Sequence, residues 1–580
     1  MASISGLIAE ATLSKLRSYD NIRGKPPTFP FWDLVVLSAL DEDQRVAFQM
    51  QIDVKIKRKE LPLNVTYLTF TDPGTAKIGG GGALMDSLTE LTKMYGEKLL
   101  RMKVLIIPAG GYSQRLPSAS LLGKIFTALP LGHPMYDLLD AKLASLIDFP
   151  ARMDCGVFLS CADTVELYHC QDQTWQFPSV GITAQGHPSP IKIGTAHGVF
   201  IMSSQQKECI PQFEVVQCWE FLHKKSEKEL RQNGACLHPT FADVHGVESD
   251  MILTDSGYFM DFTTANKLID FYQSEAPLQC EIDCHGDVLQ PLGPQATSDY
   301  ITDTSNVCKE TSDLTQMRLK VFNLLKGTSL NVLLQSHSQF FHLGTTSEYI
   351  DHLCGKSELA VGLGFKSNTF NKCSTSNVNN ACLSQQKQVA CVMHSIVSGQ
   401  FDWSHRCIVE YCHIQGSVII QDNCIISNCC INQQGSAPYT IPPSSYLHTA
   451  CVKGHSKYVT FVFDVCDNMK QSASPGDAGN LMWLGQTFEE IFGDILFKAC
   501  DEIFPKVEDG KYSLWHAKLF RPAQSLEKAF DEAMILLNSV HDGKVTLNFQ
   551  GCLSMADMLK QKDVAAMIEY RRVLYETIKD

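Results

Sequence analysis

The stretch Lys103-Val-Leu-Ile-Ile-Pro108, which runs directly into Ala109-Gly-Gly111, decides the predicted fold. Its apolar, β-rich run is typical of a strand buried inside a parallel sheet. A helix is predicted from about residue 135 to 147, and the strand Gly156-Val-Phe-Leu-Ser160 follows it. Strand, glycine turn, helix and strand in this order predict an α/β protein with a doubly wound, Rossmann-like sheet.

The sequence before this stretch fits the same architecture. A second buried strand is predicted over residues 33–40, and Asp41-x-x-Gln44 then has the form of a capping box that opens a helix. Lys77-Ile-Gly-Gly-Gly-Gly82 is predicted to form a glycine loop. One face of the helix predicted after it carries Leu84, Leu88, Leu91 and Tyr95.

Composition bounds the class of protein. The 580 residues are 44% hydrophobic and 19% charged, a balance typical of a globular protein of two or three domains. Asp and Glu number 63 against 49 Lys and Arg, so the net charge is −14, which argues against a nucleic-acid partner. No apolar stretch is long enough to cross a membrane. The 22 cysteines are scattered, so we expect free thiols and a cytoplasmic protein.

The pattern of apolar residues changes after about residue 380. Ile408, Ile414 and Ile420 are spaced by six, and Ile425 and Ile431 continue this spacing after a slip of one. A six-residue aliphatic period predicts a short β-helix, in which each isoleucine points into a coil. We expect the neighbouring side chains, including Glu410 and Gln415, to be solvated. A helical segment is predicted to follow from about residue 511, in two stretches near 525–540 and 563–579.

A local positive site is predicted just after the first glycine turn. Gly110 and Gly111 would let backbone N–H groups approach an anion, and Ser113 adds a hydroxyl donor. Arg115 supplies a planar cation suited to phosphate, and Lys124, after Gly123, supplies a point charge. The spacing is not that of a kinase-type P-loop. The alternative is a tight turn that happens to carry two surface cations.

Two groups of cysteines raise the question of zinc. Five cysteines interleave with the isoleucine repeat, at positions 407, 412, 424, 429 and 430, and the first pair and the pair 424/429 are each separated by four residues rather than two. We therefore interpret them as small core residues. Cys280, Cys284 and His285 lack a fourth partner in the sequence and are interpreted in the same way.

The Gly-Gly-x-x-x-Arg pattern with a downstream Gly-Lys resembles the signature of sugar nucleotidyltransferases. The wider sequence resembles the fucose-1-phosphate guanylyltransferases, also called GDP-L-fucose pyrophosphorylases, and the guanylyltransferase half of bifunctional fucokinase/GDP-fucose pyrophosphorylases. The resemblance extends from about residue 30 to 575. The strings that carry it, besides the two glycine motifs, are Phe31-Trp-Asp33, His197-Gly-Val-Phe200, Thr254-Asp-Ser-Gly-Tyr258, Glu281-Ile-Asp283, Gly286-Asp287, His342-Leu-Gly-Thr345 with Glu348, and Leu514-Trp-His-Ala-Lys-Leu-Phe520.

The resemblance implies a reaction and a domain plan. The reaction would be transfer of GMP from GTP to β-L-fucose 1-phosphate, which forms GDP-L-fucose and pyrophosphate in fucose salvage. The alternatives are a pyrophosphorylase for another nucleotide sugar, such as a UDP-sugar, and a non-catalytic regulatory relative. The predicted domains are an N-terminal extension (1–30), a catalytic domain (31–380), a β-helix that could support homo-oligomers (381–510) and a C-terminal helical segment (511–580).

The same resemblance implies residue roles. Arg115, Lys124 and Asp163 would be catalytic, and the glycines at 79–82, 110 and 111, with Ser113, would bind the nucleotide. His197 and Glu281 would bind substrate, and for His197 the alternative is a structural histidine whose hydrogen bonds are satisfied. The expected cofactor is Mg²⁺ or another divalent cation, held by Asp163 and Asp283.

The metal assignment at Asp163 has a structural alternative. The family motif tends to read Ser-Gly-Asp, whereas this chain reads Ser160-Cys-Ala-Asp163. Because Asp163-x-x-Glu166 fits a capping box, spacing alone favours a helix cap at Asp163. For Asp283 the alternative is a solvated loop carboxylate.

Overall fold

The structure is a computed structural model. It describes residues 3–579 apart from 171–174, 203–212, 306, 308–312, 375–389, 434, 436, 505–509, 544 and 546–548. Along the described residues, no helix combines the length and apolar character needed to cross a bilayer.

The α-helices of the described residues are numbered in chain order. They are α1 (Ile4–Ile22), α2 (Glu42–Lys57), α3 (Gly79–Tyr95), α4 (Pro117–Leu122), α5 (Leu138–Ser145), α6 (Ile191–Gly194), α7 (Glu227–Gln232), α8 (Thr240–His245), α9 (Phe262–Glu275), α10 (Gly286–Leu289), α11 (Leu314–Leu325), α12 (Thr346–Leu353), α13 (Glu358–Leu363), α14 (Phe488–Phe492), α15 (Asp494–Ile503), α16 (Leu526–His541), α17 (Met555–Gln561) and α18 (Val564–Ile578).

The β-strands are numbered in the same way. They are β1 (Leu34–Ala39), β2 (Thr66–Thr71), β3 (Lys103–Pro108), β4 (Ala128–Gly132), β5 (Met135–Asp137), β6 (Gly156–Leu159), β7 (Thr164–Tyr168), β8 (Ile182–Pro190), β9 (Gly198–Met202), β10 (Phe213–His223), β11 (Met251–Met260), β12 (Leu330–Gln335), β13 (Ser338–His342), β14 (Asn368–Thr369), β15 (Lys372–Ser374), β16 (Ala390–Met393), β17 (Ile396–Trp403), β18 (Cys407–Glu410), β19 (His413–Ile420), β20 (Ile425–Ser427), β21 (Cys430–Asn432), β22 (Tyr439–Ile441), β23 (Ser445–Cys451), β24 (Tyr458–Asp464), β25 (Ser472–Ala473), β26 (Met482–Trp483), β27 (Gln486–Thr487) and β28 (Tyr512–Ser513).

The chain divides into two compact units that are not contiguous in sequence. The first unit comprises residues 1–111 and 139–342, and the second comprises residues 112–138 and 343–580. The segment with Ser113, Arg115 and Lys124 therefore clusters with the C-terminal half of the chain. The sequence predicted contiguous domains with boundaries near 380 and 510, and that domain plan stays a prediction.

The first unit is built on a mixed nine-stranded sheet with the order β2-β1-β3-β6-β11-β8-β12-β10-β9. The four strands at the β2 end are parallel, as a doubly wound fold requires. Beyond β6 the sheet departs from the expected Rossmann-like pattern, because β11 runs antiparallel to both β6 and β8. Every residue of β1 is buried, which explains its continuous apolar run.

Two elements of the first unit differ locally from the sequence predictions. Gly79–Gly82 forms the first turn of α3 rather than a loop. The face predicted for this helix is confirmed, since Leu84, Leu88 and Leu91 are fully buried in the core beneath the sheet. The helix predicted from residue 135 begins later, at Leu138, because Met135–Asp137 forms the strand β5, which pairs with β4 in the second unit.

The second unit contains two sheets of mostly parallel strands. One sheet has the order β14-β16-β18-β20-β23-β24, and the other has the order β15-β17-β19-β21 with β22 also beside β19. In the central strands, paired residues lie 17 positions apart, as in Cys391 with Ile408 and Ile425, or Val397 with Ile414 and Ile431. This offset is close to three of the six-residue intervals visible in the sequence, whereas the pairings of β22 and β23 have a longer offset of 21 positions.

The three isoleucines that define the sequence repeat are fully buried, and each lies in a different column of paired residues. Gln415 is exposed, as predicted. Glu410 is only 4% exposed, so the prediction that it is solvated is wrong. The five cysteines at 407, 412, 424, 429 and 430 are buried. The first four thiols donate to backbone carbonyls, as Cys407 does to Gln421 at 3.1 Å, and the Cys430 thiol donates to the Glu527 carboxylate.

Helices α16, α17 and α18 lie in the last part of the chain. Ser525 caps α16, where its side chain accepts from the Lys528 amide, and Asp563 caps α18 by accepting from the Ala566 amide. Because α16 contacts β24 and β21, part of this segment covers the parallel-stranded region.

Candidate active site

The glycine turn after β3 is the first predicted feature of the site. It lies at the point where the strand order of the sheet reverses. Strand β1 has β2 on one side and β3 on the other, so a crevice is expected at the carboxyl ends of β1 and β3. A Cβ on Gly110 would lie 2.8 Å from the Leu40 amide nitrogen, and Gly111 has φ +109°. Both positions therefore require glycine, one for close approach and one for its backbone conformation.

Gln44 holds this turn in place. Its side-chain oxygen accepts from the Leu40 amide at 2.8 Å, and its side-chain NH₂ donates to the Gly111 carbonyl at 3.1 Å. Asp41 caps α2 as predicted by accepting from the Gln44 amide. The other half of the predicted capping box is wrong, because the Gln44 side chain bonds to the ends of β1 and β3 instead of returning to Asp41.

The other glycine motif, Gly79–Gly82, packs against the chain around Ile282. The Gly81 amide donates to the Ile282 carbonyl at 2.7 Å, and a Cβ on Gly79 would lie 2.5 Å from the same oxygen. A Cβ on Gly80 would lie 3.0 Å from the Cys284 sulfur. The motif therefore has a structural role of close packing beneath the segment that carries Asp283, and nucleotide contact by its amides stays a prediction.

A cleft of about 170 Å³ opens in the first unit beside the end of β6. It brings together three of the predicted site residues, namely Asp163, His197 and Asp283. Its ionisable lining residues other than cysteine are Asp163, Asp255, Asp283, Lys224, His197, His223, His285 and His342. Glu281 lies two residues before Asp283 and does not line this cleft.

Asp163 lies in a turn between two strands, not at the start of a helix. The residues after it form β7, so the alternative of a helix cap is wrong. Its Oδ2 atom is 3.6 Å from His342 Nε2, and the two side chains are 19% and 21% exposed. This contact arises because β13 pairs with β7 in a register that places His342 opposite Thr164.

Behind Asp163 lies a buried ion pair. The Lys142 ammonium of α5 is 2.8 Å from the nearer Glu166 carboxylate oxygen, and both residues are 1% exposed. Thr164, the neighbour of Asp163, donates to Glu166 at 2.7 Å and accepts from Lys142 at 3.1 Å. Burial would raise the pKa of Glu166, but Lys142 and Thr164 hold it below its usual value. The turn that presents Asp163 is thus fixed from beneath.

Asp283 is held at the start of α10. Its Oδ1 atom accepts from the amides of His285 and Gly286, at 2.8 and 2.6 Å. Burial would raise its pKa, but the neighbouring imidazoles of His223 and His285 and the Gly286 amide lower it to about 2. Asp283 is therefore a charged carboxylate on the cleft wall, and its interpretation as a solvated loop residue does not fit these contacts.

The Asp283 segment has a buried ion pair of its own. The amide of Asp283 donates to Asp287 at 2.7 Å, and the Arg318 guanidinium lies 2.9 Å from the other Asp287 oxygen. Asp283, Cys284 and His285 also form a group that could hold a cation, because one ligand atom from each lies within 4.8 Å of the others.

His197 faces the cleft opposite these carboxylates. Its ring packs edge-on against Phe340 with a centroid distance of 5.1 Å, and burial lowers its pKa. Its carbonyl accepts from the Lys224 amide at 3.0 Å, and Lys224 adopts a left-handed backbone with φ +52°. A lysine held in this conformation is uncommon, and such residues cluster at functional sites.

Sequence reasoning missed several cleft residues. Asp255 and His342 stand in strings that carry the family resemblance, so a signal was present although neither received a role. His223 and Lys224 had no signal, because they reach the cleft only through the pairing of β10 with β9.

The remaining predicted residues lie in the second unit. Arg115 is exposed, and its carbonyl accepts from the amide and the hydroxyl of Thr346, at 2.8 and 3.0 Å. Lys124 is half-buried and opens a short 3-10 helix, Lys124–Phe126. Ser113 is half-buried, and its carbonyl accepts from the Leu116 amide at 2.9 Å.

The chain is similar to known proteins along most of its length. The family model of the fucose pyrophosphorylase domain matches residues 96–525. A fucose-1-phosphate guanylyltransferase of Mus musculus is 40% identical over 584 residues, which cover 98% of this chain and 97% of that protein. The Homo sapiens protein of the same name is 39% identical over 590 residues, with coverages of 98% and 94%.

A more distant relative shares part of the chain. A bifunctional fucokinase/GDP-fucose pyrophosphorylase of Arabidopsis thaliana is 24% identical over 374 residues, which cover 58% of this chain and 33% of that protein. Since the family model covers most of this chain and the mammalian relatives cover nearly all of it, the chain belongs to the fucose-1-phosphate guanylyltransferase family.

Proposed function

We propose that this protein transfers GMP from GTP to β-L-fucose 1-phosphate and thereby forms GDP-L-fucose and pyrophosphate. The observation that carries this proposal is the 40% identity over nearly the whole chain to a protein named for the reaction. The fold supports it, because the glycine turn and the cleft lie at the carboxyl ends of neighbouring parallel strands, where α/β proteins bind nucleotides. A UDP-sugar specificity or a non-catalytic role is not favoured.

The proposed reaction places modest demands on the protein. The phosphate of the sugar is already an anion at neutral pH, so its attack on the α-phosphorus of GTP needs no strong general base. Catalysis then consists of positioning the two phosphates and neutralising charge. We propose that Arg115 and Lys124 stabilise the charge that builds on the departing pyrophosphate, and that the Gly110 and Gly111 amides and Ser113 bind the nucleotide.

We propose that the cleft binds a divalent cation. Asp163 and Asp283 both line it, and carboxylate oxygens are the ligands that Mg²⁺ prefers. The low pKa of Asp283, about 2, keeps this carboxylate charged at neutral pH. We propose that these two residues would hold the ion, which would neutralise phosphate charge when bound.

The sugar phosphate is proposed to contact His197. This side chain lines the same cleft as the two carboxylates, and its lowered pKa keeps it neutral, so it can donate or accept a hydrogen bond. Glu281 stays a proposed ligand on the resemblance alone, since it does not line the cleft that the described residues form.

Three further proposals concern the architecture, the self-association and the location of the protein. We propose that the parallel-stranded region, whose central strands pair at an offset of 17 residues, is a short β-helix, followed by a C-terminal helical segment. We also propose that the protein self-associates through this region and that it is located in the cytoplasm.

The test is a measurement of pyrophosphate release with GTP, UTP, ATP and CTP against a panel of sugar 1-phosphates. A pocket built to pair the N2 and O6 groups of guanine leaves polar atoms unpaired when another base binds, at a cost of about 1–3 kcal/mol per group. With fucose 1-phosphate, we therefore expect the rate of pyrophosphate release to be about a hundredfold higher with GTP than with UTP. Discrimination between fucose and glucose 1-phosphates should be weaker. Equal rates with UTP and GTP would contradict the guanylyl assignment.

A further inference from the structure

The segment of residues 112–138, which we call the signature segment, carries both proposed catalytic cations. Within the second unit it is held by hydrogen bonds from other parts of the chain. Thr346 contacts the Arg115 carbonyl through both its amide and its hydroxyl, at 2.8 and 3.0 Å. The Ser118 amide donates to the Tyr446 hydroxyl at 2.9 Å. The backbone at Arg115 and just after it is therefore anchored.

The far side of Lys124 is anchored as well. The Tyr349 hydroxyl donates to the carbonyl of Ala128, four residues beyond Lys124, at 3.1 Å. Tyr349 is fully buried on α12, the helix whose first residue is Thr346. Helix α12 thus makes hydrogen bonds to the signature segment at Arg115 and at Ala128, on both sides of Lys124.

Helix α12 is itself fixed at its start and in its middle. Thr345 and Glu348 form a complete capping box at its N-terminus. In the middle, the single hydroxyl proton of Tyr349 is shared between the Ala128 carbonyl and a carboxylate oxygen of Glu410, which lies 2.8 Å away on β18 of the parallel sheets. The other Glu410 oxygen accepts from the Ser427 hydroxyl on β20, at 2.6 Å.

A buried carboxylate in this position needs an explanation. Glu410 is 4% exposed, and a buried carboxylate costs free energy unless its partners compensate. An aliphatic residue would fit the isoleucine-rich sheet at lower cost. The carboxylate instead connects β18 and β20 by hydrogen bonds to the Tyr349 hydroxyl, which also contacts the Ala128 carbonyl.

We infer that Tyr349 and Glu410 are positioning residues for the two cations of the proposed reaction. The chain of contacts runs from the parallel sheets through Tyr349 to the signature segment, so the sheets act as the rigid support of Arg115 and Lys124. The inference rests on the proposed function. Its consequence is that loss of the Tyr349 hydroxyl lowers turnover without a matching loss of substrate binding, because misplacing a catalytic group by about 1 Å can cost about a hundredfold in rate.

The first experiment compares Tyr349→Phe with Tyr168→Phe. Tyr168 is also fully buried, and its hydroxyl donates to the Ser145 carbonyl at 2.7 Å, so both variants lose a hydroxyl that donates to a backbone carbonyl. We expect Tyr349→Phe to lower kcat about tenfold with KM for fucose 1-phosphate within twofold of wild type, and Tyr168→Phe to leave both constants near wild type. Equal kcat values in the two variants at similar melting temperatures would overturn the inference.

The second experiment compares Glu410→Gln with Glu410→Leu. Gln keeps an oxygen that accepts from Tyr349, and its NH₂ group can donate to the Ser427 hydroxyl. Leu keeps neither contact. We expect kcat near wild type for Gln and a loss of about tenfold for Leu, since contact rather than charge positions Tyr349. Equal kcat values in the two variants would overturn the inference, whether both are impaired or both are unaffected.

A third measurement separates this inference from the proposed reaction. Amide hydrogen exchange over residues 112–138 reports how firmly the signature segment is held, and it requires no substrate. We expect faster exchange there in Tyr349→Phe and unchanged exchange in Tyr168→Phe. Unchanged exchange in Tyr349→Phe would overturn the positioning role. An inactive wild-type protein with faster exchange in Tyr349→Phe would refute only the reaction.

Discussion

Two carboxylates, one in each compact unit, have similar backbone partners and opposite charge behaviour. Asp283 on the cleft wall accepts from the amides of His285 and Gly286, whereas Asp467 in the second unit accepts from the amides of Asp464 and Leu484. The pKa of Asp283 is lowered to about 2, but burial raises that of Asp467 to about 7. Hydrogen bonds from two backbone amides therefore do not by themselves keep a half-buried carboxylate charged.

The difference comes from the side chains around each group. Asp283 lies beside the imidazoles of His223 and His285, and both lower the pKa of its carboxyl. For Asp467 the nearby Asp464 carboxylate adds to the effect of burial. The cleft thus surrounds its aspartates with groups that suit anion or metal chemistry, while the second unit buries polar groups for packing. Substitutions should accordingly affect activity in the cleft and stability in the parallel sheets.

The largest effect is expected for Asp163→Asn. The Asp163 side chain is 19% exposed and lies 3.6 Å from His342 Nε2, and asparagine has nearly the same size and shape, so the change should preserve the packing. We expect turnover to fall about a thousandfold with an unchanged melting temperature, if the carboxylate holds charge at the reacting phosphates. Wild-type turnover across a magnesium titration would remove Asp163 from the site. Asp154→Asn, an exposed change in the same unit, is the control.

The opposite outcome is expected for Ile414→Asp in the parallel sheets. Ile414 is fully buried between Val397 and Ile431, its paired residues on the two neighbouring strands, so a carboxylate there is left without a partner. We expect the free energy of unfolding to fall by about 3–5 kcal/mol, as for other unpaired buried charges. Ile414→Val, the matched control, should cost about 0.5–1.5 kcal/mol. Equal urea midpoints for the two variants would show that this column is not packed as described.

Arg115→Ala tests whether an exposed residue of the second unit acts in catalysis. Its guanidinium is exposed, and the contact to Thr346 uses only its backbone carbonyl, so the fold should tolerate the change. We expect kcat to fall about a hundredfold, the effect of losing one well-placed electrostatic donor. Steady-state kinetics of the purified variant measure this. Near-normal kcat would assign Arg115 to the surface.

The smallest effect concerns pH and sharpens the comparison of Asp283 with Asp467. Because the pKa of Asp467 is about 7 in the folded protein, the folded state keeps a proton that the unfolded chain releases at lower pH. The free energy of unfolding should therefore decrease as pH rises from about 4 to 7, by at least about 1 kcal/mol from this group. Asp467→Asn should remove that part of the slope, and Asp477→Asn, an exposed change, should retain it. Identical slopes would contradict the burial argument.

Much of the core of the first unit was predictable from the sequence. Strand β3 coincides with the predicted run, and the glycine turn after it lies at the expected end of a parallel strand. Local patterns could not show that Asp163 precedes a strand, since Asp163-x-x-Glu166 fits a helix cap equally well. Glu166 in fact pairs with Lys142, a partner 24 positions away in the chain.

By itself, the sequence determined the family, the buried strands and the residue types of the site. These follow from periodicity and from motifs that are local in the chain. Only the tertiary structure decided that His342, Lys224 and Asp255 share a cleft with Asp163, because antiparallel pairing beyond β6 brings distant residues together. The burial of Glu410 was decided in the same way. The local sequence does not distinguish a buried glutamate from a solvated one at this position. Glu410 can be buried because the Tyr349 and Ser427 hydroxyls donate hydrogen bonds to its carboxylate, which offset the free-energy cost of desolvation.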